Sequence, residues 1–248
     1  MTRIAAHFVR AAGVAGLGYP LMPPARRRLA LQRWSATLLR RLAARLTVHG
    51  EPPREQDAPF MLVANHVSWL DIFAINAAVP TRFVAKSEVR RWPLIGWLCV
   101  KADTLFIERA RRRDLARLDD MISNALREQT AASASVGVFL EGTTTDGSEV
   151  LPFHSSLLRP AQAADVPIYP VAIQYLRDDG SICTEAAYDG DKSALDTLRL
   201  MLTQQEIHVH VHFLPPLAAT GVHRKALAKQ AREGIVQCLY PLSADTTN

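Results

Sequence analysis

The sequence predicts an α/β fold: a central, largely parallel or mixed sheet flanked by helices, preceded by an amphipathic helical segment. Three observations predict it. From residue 60 onward, short apolar runs of buried-strand type alternate with longer amphipathic or charged stretches, the order expected of strands joined by helices. The 248 residues, 48% hydrophobic and 21% charged, are enough to bury a core without disulfides or a structural metal. The opening residues differ in composition from the rest, and the polar, Pro-rich stretch HGEPPREQDAP at 49–59 reads as the junction. The expected organisation is a basic N-terminal helical segment, 1–48, and a main domain, 49–248.

The elements follow in order. Residues 24–47 place Leu29, Leu31, Trp34, Leu38, Leu39, Leu42 and Leu46 at helical spacing with arginines between them, an amphipathic helix. PFMLVAN (59–65) is a strand and SWLDIFAINAA (68–78) a helix. RFVAK (82–86) is a strand and LIGWLCV (94–100) a helix. TLFIER (104–109) is a strand, and a charged helix follows over about 111–129. VGVFLEG (136–142) is a strand, 155–164 is helical, and PIYPVAIQY (167–175) and EIHVHVHFL (206–214) are strands. HRKALAKQAREGIVQCLY (223–240) closes the chain as a helix. Neither repeats nor low-complexity segments interrupt this order.

Charge is unevenly distributed. Residues 1–50 hold nine arginines and neither Asp nor Glu, so the formal charge of +5 leaves −4 for the remaining 198 residues. A basic segment rich in Ala, Leu and Trp suits an anionic membrane surface. Nucleic acid is the rival partner, but no nucleic-acid motif accompanies the arginines. No run reaches the ~18 apolar residues of a spanning helix. AAGVAGLGYPLM (11–22) is a poor signal core, with Gly and Pro inside it. The expectation is a peripheral or monotopic protein on the cytoplasmic face of a membrane. Cys99, Cys183 and Cys238 are scattered and odd in number, as in a reducing compartment.

NHVSWLD at 65–71 carries the chemistry. A buried strand ends at Asn65-His66 and a helix begins. Ser68 fits an N-cap and Asp71 the far end of a capping box, which accounts for Asp71 but not for His66. A histidine beyond a strand end in an open α/β sheet stands where ligands bind, and its pKa suits general-base work. Five residues on a continuous helix would put His66 and Asp71 about 140° apart, so the turn must fold one back on the other. A carboxylate so placed fixes the imidazole tautomer and stabilises the imidazolium. With no nucleophile elbow in the chain, the pair implies direct transfer: His66 deprotonates an acceptor hydroxyl, which attacks an activated acyl carbonyl.

At this point the chain resembles the glycerolipid acyltransferases typified by bacterial 1-acylglycerol-3-phosphate acyltransferase. The block NHxSxxD matches Asn65 through Asp71. FIER at 106–109 resembles the second block, with Arg109 as its basic residue. FLEGTT at 139–144 stands for the usual FPEGTR, VPIYPVAI at 166–173 for the fourth block, and FVAKSEVRRWPLIGWL at 83–98 for the segment after the first. The resemblance implies catalysis by His66 and Asp71, acyl-CoA or acyl-carrier protein as donor, a lysolipid acceptor, and no cofactor or metal. It also implies substrate contacts from Lys86, Arg109, Glu141, Gly142, Thr143 and Thr144. Two positions depart from it. Leu140 replaces a proline. Thr144 replaces an arginine associated in the family with the acceptor phosphate, and a hydroxyl cannot supply a charged bidentate donor. The run EGTTTDG with FHSSLL at 153–158 is closer to relatives that acylate other lysolipids, including lyso-ornithine lipid. Rival readings are a membrane-surface binding protein without catalysis and a hydrolase that gives the acyl group to water.

The remaining residues of note have ordinary roles. Lys86 and Arg109 fall at predicted strand ends, able to hold an anionic headgroup or the donor's phosphates. Arg111 to Arg113 begin a solvated helix. His208, His210 and His212 alternate and so share one strand face; three such histidines could bind zinc, but with no carboxylate or cysteine at metal spacing they read as a surface row. Trp92, Trp97 and the leucine between them could line an acyl channel or fill the core, and core is the default.

Overall fold

The computed structural model describes residues 2–54, 57, 59–107, 112–127, 135–190 and 192–241. The helices are α1 (Thr2–Gly13), α2 (Pro24–Arg41), α3 (Asp71–Ala78), α4 (Ile95–Lys101), α5 (Arg112–Arg127), α6 (Arg159–Ala164), α7 (Ala194–Met201) and α8 (Arg224–Leu239). The strands are β1 (Ala44–His49), β2 (Phe60–Ala64), β3 (Arg82–Lys86), β4 (Leu105–Ile107), β5 (Ser135–Phe139), β6 (Ile168–Leu176) and β7 (Ile207–Phe213). They form one sheet in the order β1-β7-β6-β2-β5-β3-β4. Neighbours run parallel except β6 and β7, which are antiparallel.

The sheet lies between two helical layers, and the two-residue period of the strands distributes the core between them. Phe60, Leu62 and Ala64 of β2 face a cluster with Leu38, Leu39 and Leu42 from the end of α2 and Leu70, Ala74 and Ile75 around α3. Met61 and Val63 face the other way, onto Leu118, Ile122 and Leu126 of α5 and Leu227, Ala228 and Ala231 of α8. All five residues of β2 are buried, as expected for a strand covered on both faces. β2 is the fourth of seven strands, so whatever follows its C-terminal end sits at the middle of the sheet edge.

The helix expected over 24–47 ends at Arg41, and Ala44–His49 is an edge strand paired with β7. The break is made by Ala43, which takes φ +53°. That conformation is usually signalled by glycine, and Leu46 keeps helical spacing with Leu42, so the local pattern conceals it. Sheet structure therefore begins before the Pro-rich stretch at 49–59, not after it. Helix α7 is also additional to the expected elements; its signal was present, a capping box in which the Ser193 side chain accepts from the Asp196 amide. The tryptophans expected in the core are not there. Trp92 and Trp97 are exposed together with Leu94 and Val100, and Gly96 alone on α4 is buried.

Candidate active site

The chain leaves β2 at Asn65. Its side-chain amide donates to the Ile173 carbonyl (3.0 Å) and its oxygen accepts from the Ile173 amide (2.8 Å). Asn65 thereby extends the pairing of β2 with β6 by one position and fixes where the turn begins. The turn is organised around Asp71, whose carboxylate is fully buried. Asp71 Oδ2 accepts from the backbone N–H of Val67 (2.8 Å) and Ser68 (3.0 Å) and from His66 Nδ1 (2.8 Å). Asp71 Oδ1 accepts from the Tyr175 hydroxyl (2.6 Å). Four donors offset the cost of burying one charge. Residues 65–70 are not helical, which is how two side chains five apart meet.

The capping box expected here forms in half. Asp71 reaches back to the Ser68 amide, but the helix N-cap is Leu70, and the Ser68 hydroxyl accepts from the Leu70 amide at 3.3 Å.

Because the carboxylate accepts, the proton of the neutral imidazole sits on His66 Nδ1 and the Nε2 lone pair is free. Among the described residues Nε2 has no hydrogen-bond partner, and the side chain is 21% exposed. The ring plane is set by stacking on Phe139, centroids 3.9 Å apart and 10° from parallel. Phe139 in turn stacks on Phe83, which crosses β5 at Gly137. A Cβ at Gly137 would lie 2.5 Å from the Phe83 ring, so a glycine two residues before Phe139 permits the stack that holds His66. A fixed, half-exposed imidazole with one free nitrogen can take a proton from a group presented at the sheet edge.

Glu141 braces the backbone of the same turn. Its Oε1 accepts from the His66 amide (2.7 Å) and its Oε2 from the Leu151 amide (2.8 Å). Burial raises its pKa, opposed by these two hydrogen bonds. Thr145 donates its amide to the His66 carbonyl (2.9 Å), and Tyr188 donates its amide to the Val67 carbonyl (2.8 Å). The Thr144 hydroxyl donates to the Tyr188 carbonyl. Position 144 thus joins the loop after β5 to the loop at 188. Gly142, at φ +74°, and Thr143 are exposed beside it; a Cβ at 142 would touch the His154 ring at an ordinary 3.6 Å but on a strained backbone.

Lys86 is exposed at the end of β3. Arg109 lies outside the described residues. Past Lys86, a cavity of about 200 Å³ is lined by Ser87, Arg90, Arg91, Phe106, Ile107, Arg117 and Leu118, at the C-terminal ends of β3 and β4. Sequence reasoning brought together His66, Asp71, Glu141 and Thr144 but did not single out Tyr175 or Phe139. Tyr175 carried a signal: a tyrosine inside a buried strand needs a partner for its hydroxyl. Phe139 carried none.

The family model described as "Acyltransferase" matches residues 45–174. Similar curated proteins include the lyso-ornithine lipid O-acyltransferase of Pseudomonas aeruginosa, 39% identical over 90% of this chain and 83% of that protein. The lyso-ornithine lipid O-acyltransferase of Brucella abortus is 37% identical over 70% and 68%. The 1-acyl-sn-glycerol-3-phosphate acyltransferase of Neisseria meningitidis is 33% identical over 75% and 71%. Among solved structures, the 1-acyl-sn-glycerophosphate acyltransferase of Thermotoga maritima superposes with a TM-score of 0.66 over 100% of this chain and 98% of that one, at 22% identity, and shares the fold. With a family match over more than half its length and relatives at these identities, the chain belongs to the acyltransferase family and is an acyltransferase.

Proposed function

We propose that this acyltransferase moves a fatty acyl group from acyl-CoA or acyl-carrier protein to the hydroxyl of a lysolipid, with His66 as general base. The observation that carries the reading is the imidazole whose Nδ1 is committed to Asp71 while Nε2 has no partner among the described residues. Nε2 takes the acceptor's hydroxyl proton as its oxygen attacks the thioester carbonyl. The thiolate leaves when the tetrahedral species collapses and takes that proton back from the imidazolium. Asp71 stays ionised throughout and stabilises the imidazolium. Glu141 and Tyr175 position the pair, through the His66 amide and the Asp71 carboxylate respectively. Lys86 and the arginines at 90, 91 and 117, beside the 200 Å³ cavity, suit the anionic part of the donor or acceptor. No cofactor or metal enters these steps.

The acceptor we propose carries a headgroup other than a phosphate monoester, with lyso-ornithine lipid as the leading case. Thr144 brings no charge, and its hydroxyl is already used on the Tyr188 carbonyl. The two relatives at 39% and 37% identity are lyso-ornithine lipid O-acyltransferases. A panel of lysolipids with one labelled donor tests this, with kcat/KM higher for lyso-ornithine lipid than for lysophosphatidic acid as the expected result. Thr144→Arg is expected to shift the ratio toward lysophosphatidic acid by about tenfold or more, the worth of one charge-assisted hydrogen bond. An unmodified enzyme that prefers lysophosphatidic acid, with a ratio indifferent to Thr144→Arg, overturns the acceptor assignment. Free fatty acid released at the same rate with and without acceptor would instead make the protein a hydrolase.

We further propose attachment to an anionic membrane surface through the N-terminal segment. Among the described residues no helix is long and apolar enough to cross a membrane. Val9, Val14, Leu17 and Leu21 are exposed, and Gly16 packs against Trp97 of the exposed Trp92–Val100 group. Exposed Arg10, Arg26 and Arg27 flank these residues. Deleting 1–47 would remove Leu38, Leu39 and Leu42 from the core, so substitution is the better test. Leu17 and Leu21 are 81% and 87% exposed. Leu17→Ser with Leu21→Ser should leave stability within about 0.5 kcal/mol and reduce binding to anionic vesicles at least tenfold or so, since burying each leucine is worth ~1.5–3 kcal/mol. Undiminished vesicle binding would rule this surface out.

A further inference from the structure

β7 turns Ile207, Val209, Val211 and Phe213 into the core and leaves His208, His210 and His212 half-buried on its other face. The strand pattern alone gives that row. The sheet adds a fourth histidine: in the parallel register of β1 with β7, His49 stands directly beside His212. His49 Nε2 lies 2.9 Å from His210 Nδ1. Its ring stacks on that of His212, centroids 4.2 Å apart and 10° from parallel. One ring nitrogen from each of His49, His210 and His212 lies within 4.8 Å of the other two. Among the described residues the His212 ring makes no hydrogen bond, and no carboxylate belongs to this group. His208 is occupied elsewhere, with Nε2 2.8 Å from Asp178 and 3.7 Å from Glu206. This is not the site at His66, because β6 separates β7 and β1 from β2.

We propose that His49, His210 and His212 bind one divalent transition-metal ion of the zinc class, with a fourth position for water. Three neutral imidazoles suit zinc, copper or nickel and do not suit magnesium or calcium, which require oxygen ligands. Zinc–nitrogen bonds of ~2.0–2.1 Å place tetrahedral ligand atoms about 3.3 Å apart; the three nitrogens start within 4.8 Å of one another, and binding would turn the stacked rings so that their lone pairs converge on the ion. The ion would tie β1, an edge strand paired to β7 alone, to the rest of the sheet.

The test uses the full chain without an affinity tag, stripped with a chelator and titrated with Zn(II) by calorimetry and with Co(II) by visible spectroscopy. The expected result is one ion per chain, tetrahedral-type Co(II) bands displaced by Zn(II), and a rise in Tm on adding Zn(II). His49→Gln and His212→Gln should each weaken binding at least ~10–100-fold, the cost of disturbing even an outer-shell partner, and remove the rise in Tm. His208→Gln should leave the affinity in place, and His49→Gln should leave acyl transfer unchanged. Absence of Co(II) bands from the unmodified chain overturns the proposal without recourse to a variant. So does binding that survives His49→Gln, or that depends on His208, which would move the ion to the exposed cluster of Asp178, Glu206 and His208.

Discussion

His66→Ala is expected to lower kcat/KM by about 10²–10⁴-fold, the usual cost of losing a general base, in a chain that remains folded. The reason it remains folded is that the turn is held by groups other than the imidazole. The His66 amide is bound by Glu141, the His66 carbonyl by the Thr145 amide, and the flanking amides of Val67 and Ser68 by Asp71. All four survive the substitution. What is lost is one ring stacked on Phe139 at a partly exposed position, and with it one of the four donors to Asp71, which keeps the amides of Val67 and Ser68 and the Tyr175 hydroxyl. Near-ultraviolet circular dichroism and Tm establish folding, and steady-state kinetics with saturating donor establishes the rate. A folded variant with near-normal turnover would remove His66 from the chemistry and leave the proposed mechanism without a base.

Asp71→Asn is the second large effect, and it acts on two levels. The substitution removes the negative charge that stabilises the imidazolium, so turnover is expected to fall by about 10²–10⁴-fold per folded molecule. It also strands hydrogen-bond donors. Three N–H groups converge on Oδ2 and the Tyr175 hydroxyl on Oδ1, whereas asparagine offers one acceptor oxygen and a donating amide. If the oxygen keeps the three N–H groups, the amide faces the Tyr175 hydroxyl, whose own proton then has no acceptor. Burial already holds the Tyr175 pKa well above its ordinary value, so the phenol cannot adapt by ionising. An unsatisfied buried donor costs about 1–3 kcal/mol, read as a lower midpoint in urea. The two losses are separable: activity normalised to folded protein reports the charge, and the midpoint reports the donors. Reduced stability with full turnover per folded molecule would confine Asp71 to holding the turn.

The amino-acid sequence by itself determined the layered fold, because strand and helix periods differ and every apolar run of the main domain except that of α7 declared one of them. It also singled out the pair that the structure brings together. His66 and Asp71 lie five residues apart in one turn, so a local motif records their meeting. Thr144 was legible as a departure because it too belongs to a contiguous block. The tertiary structure decided what depends on segments distant in the chain. Ala43 ended a helix with no glycine to mark it, and pairing with β7 made 44–49 a strand. Tyr175 met Asp71 from 104 residues away, and Gly137 made room for the rings that hold His66. His49 came to His210 across 161 residues. Sequence patterns report the neighbours a residue has within one element. Contacts between elements are set by strand order and register, which local periodicity does not encode.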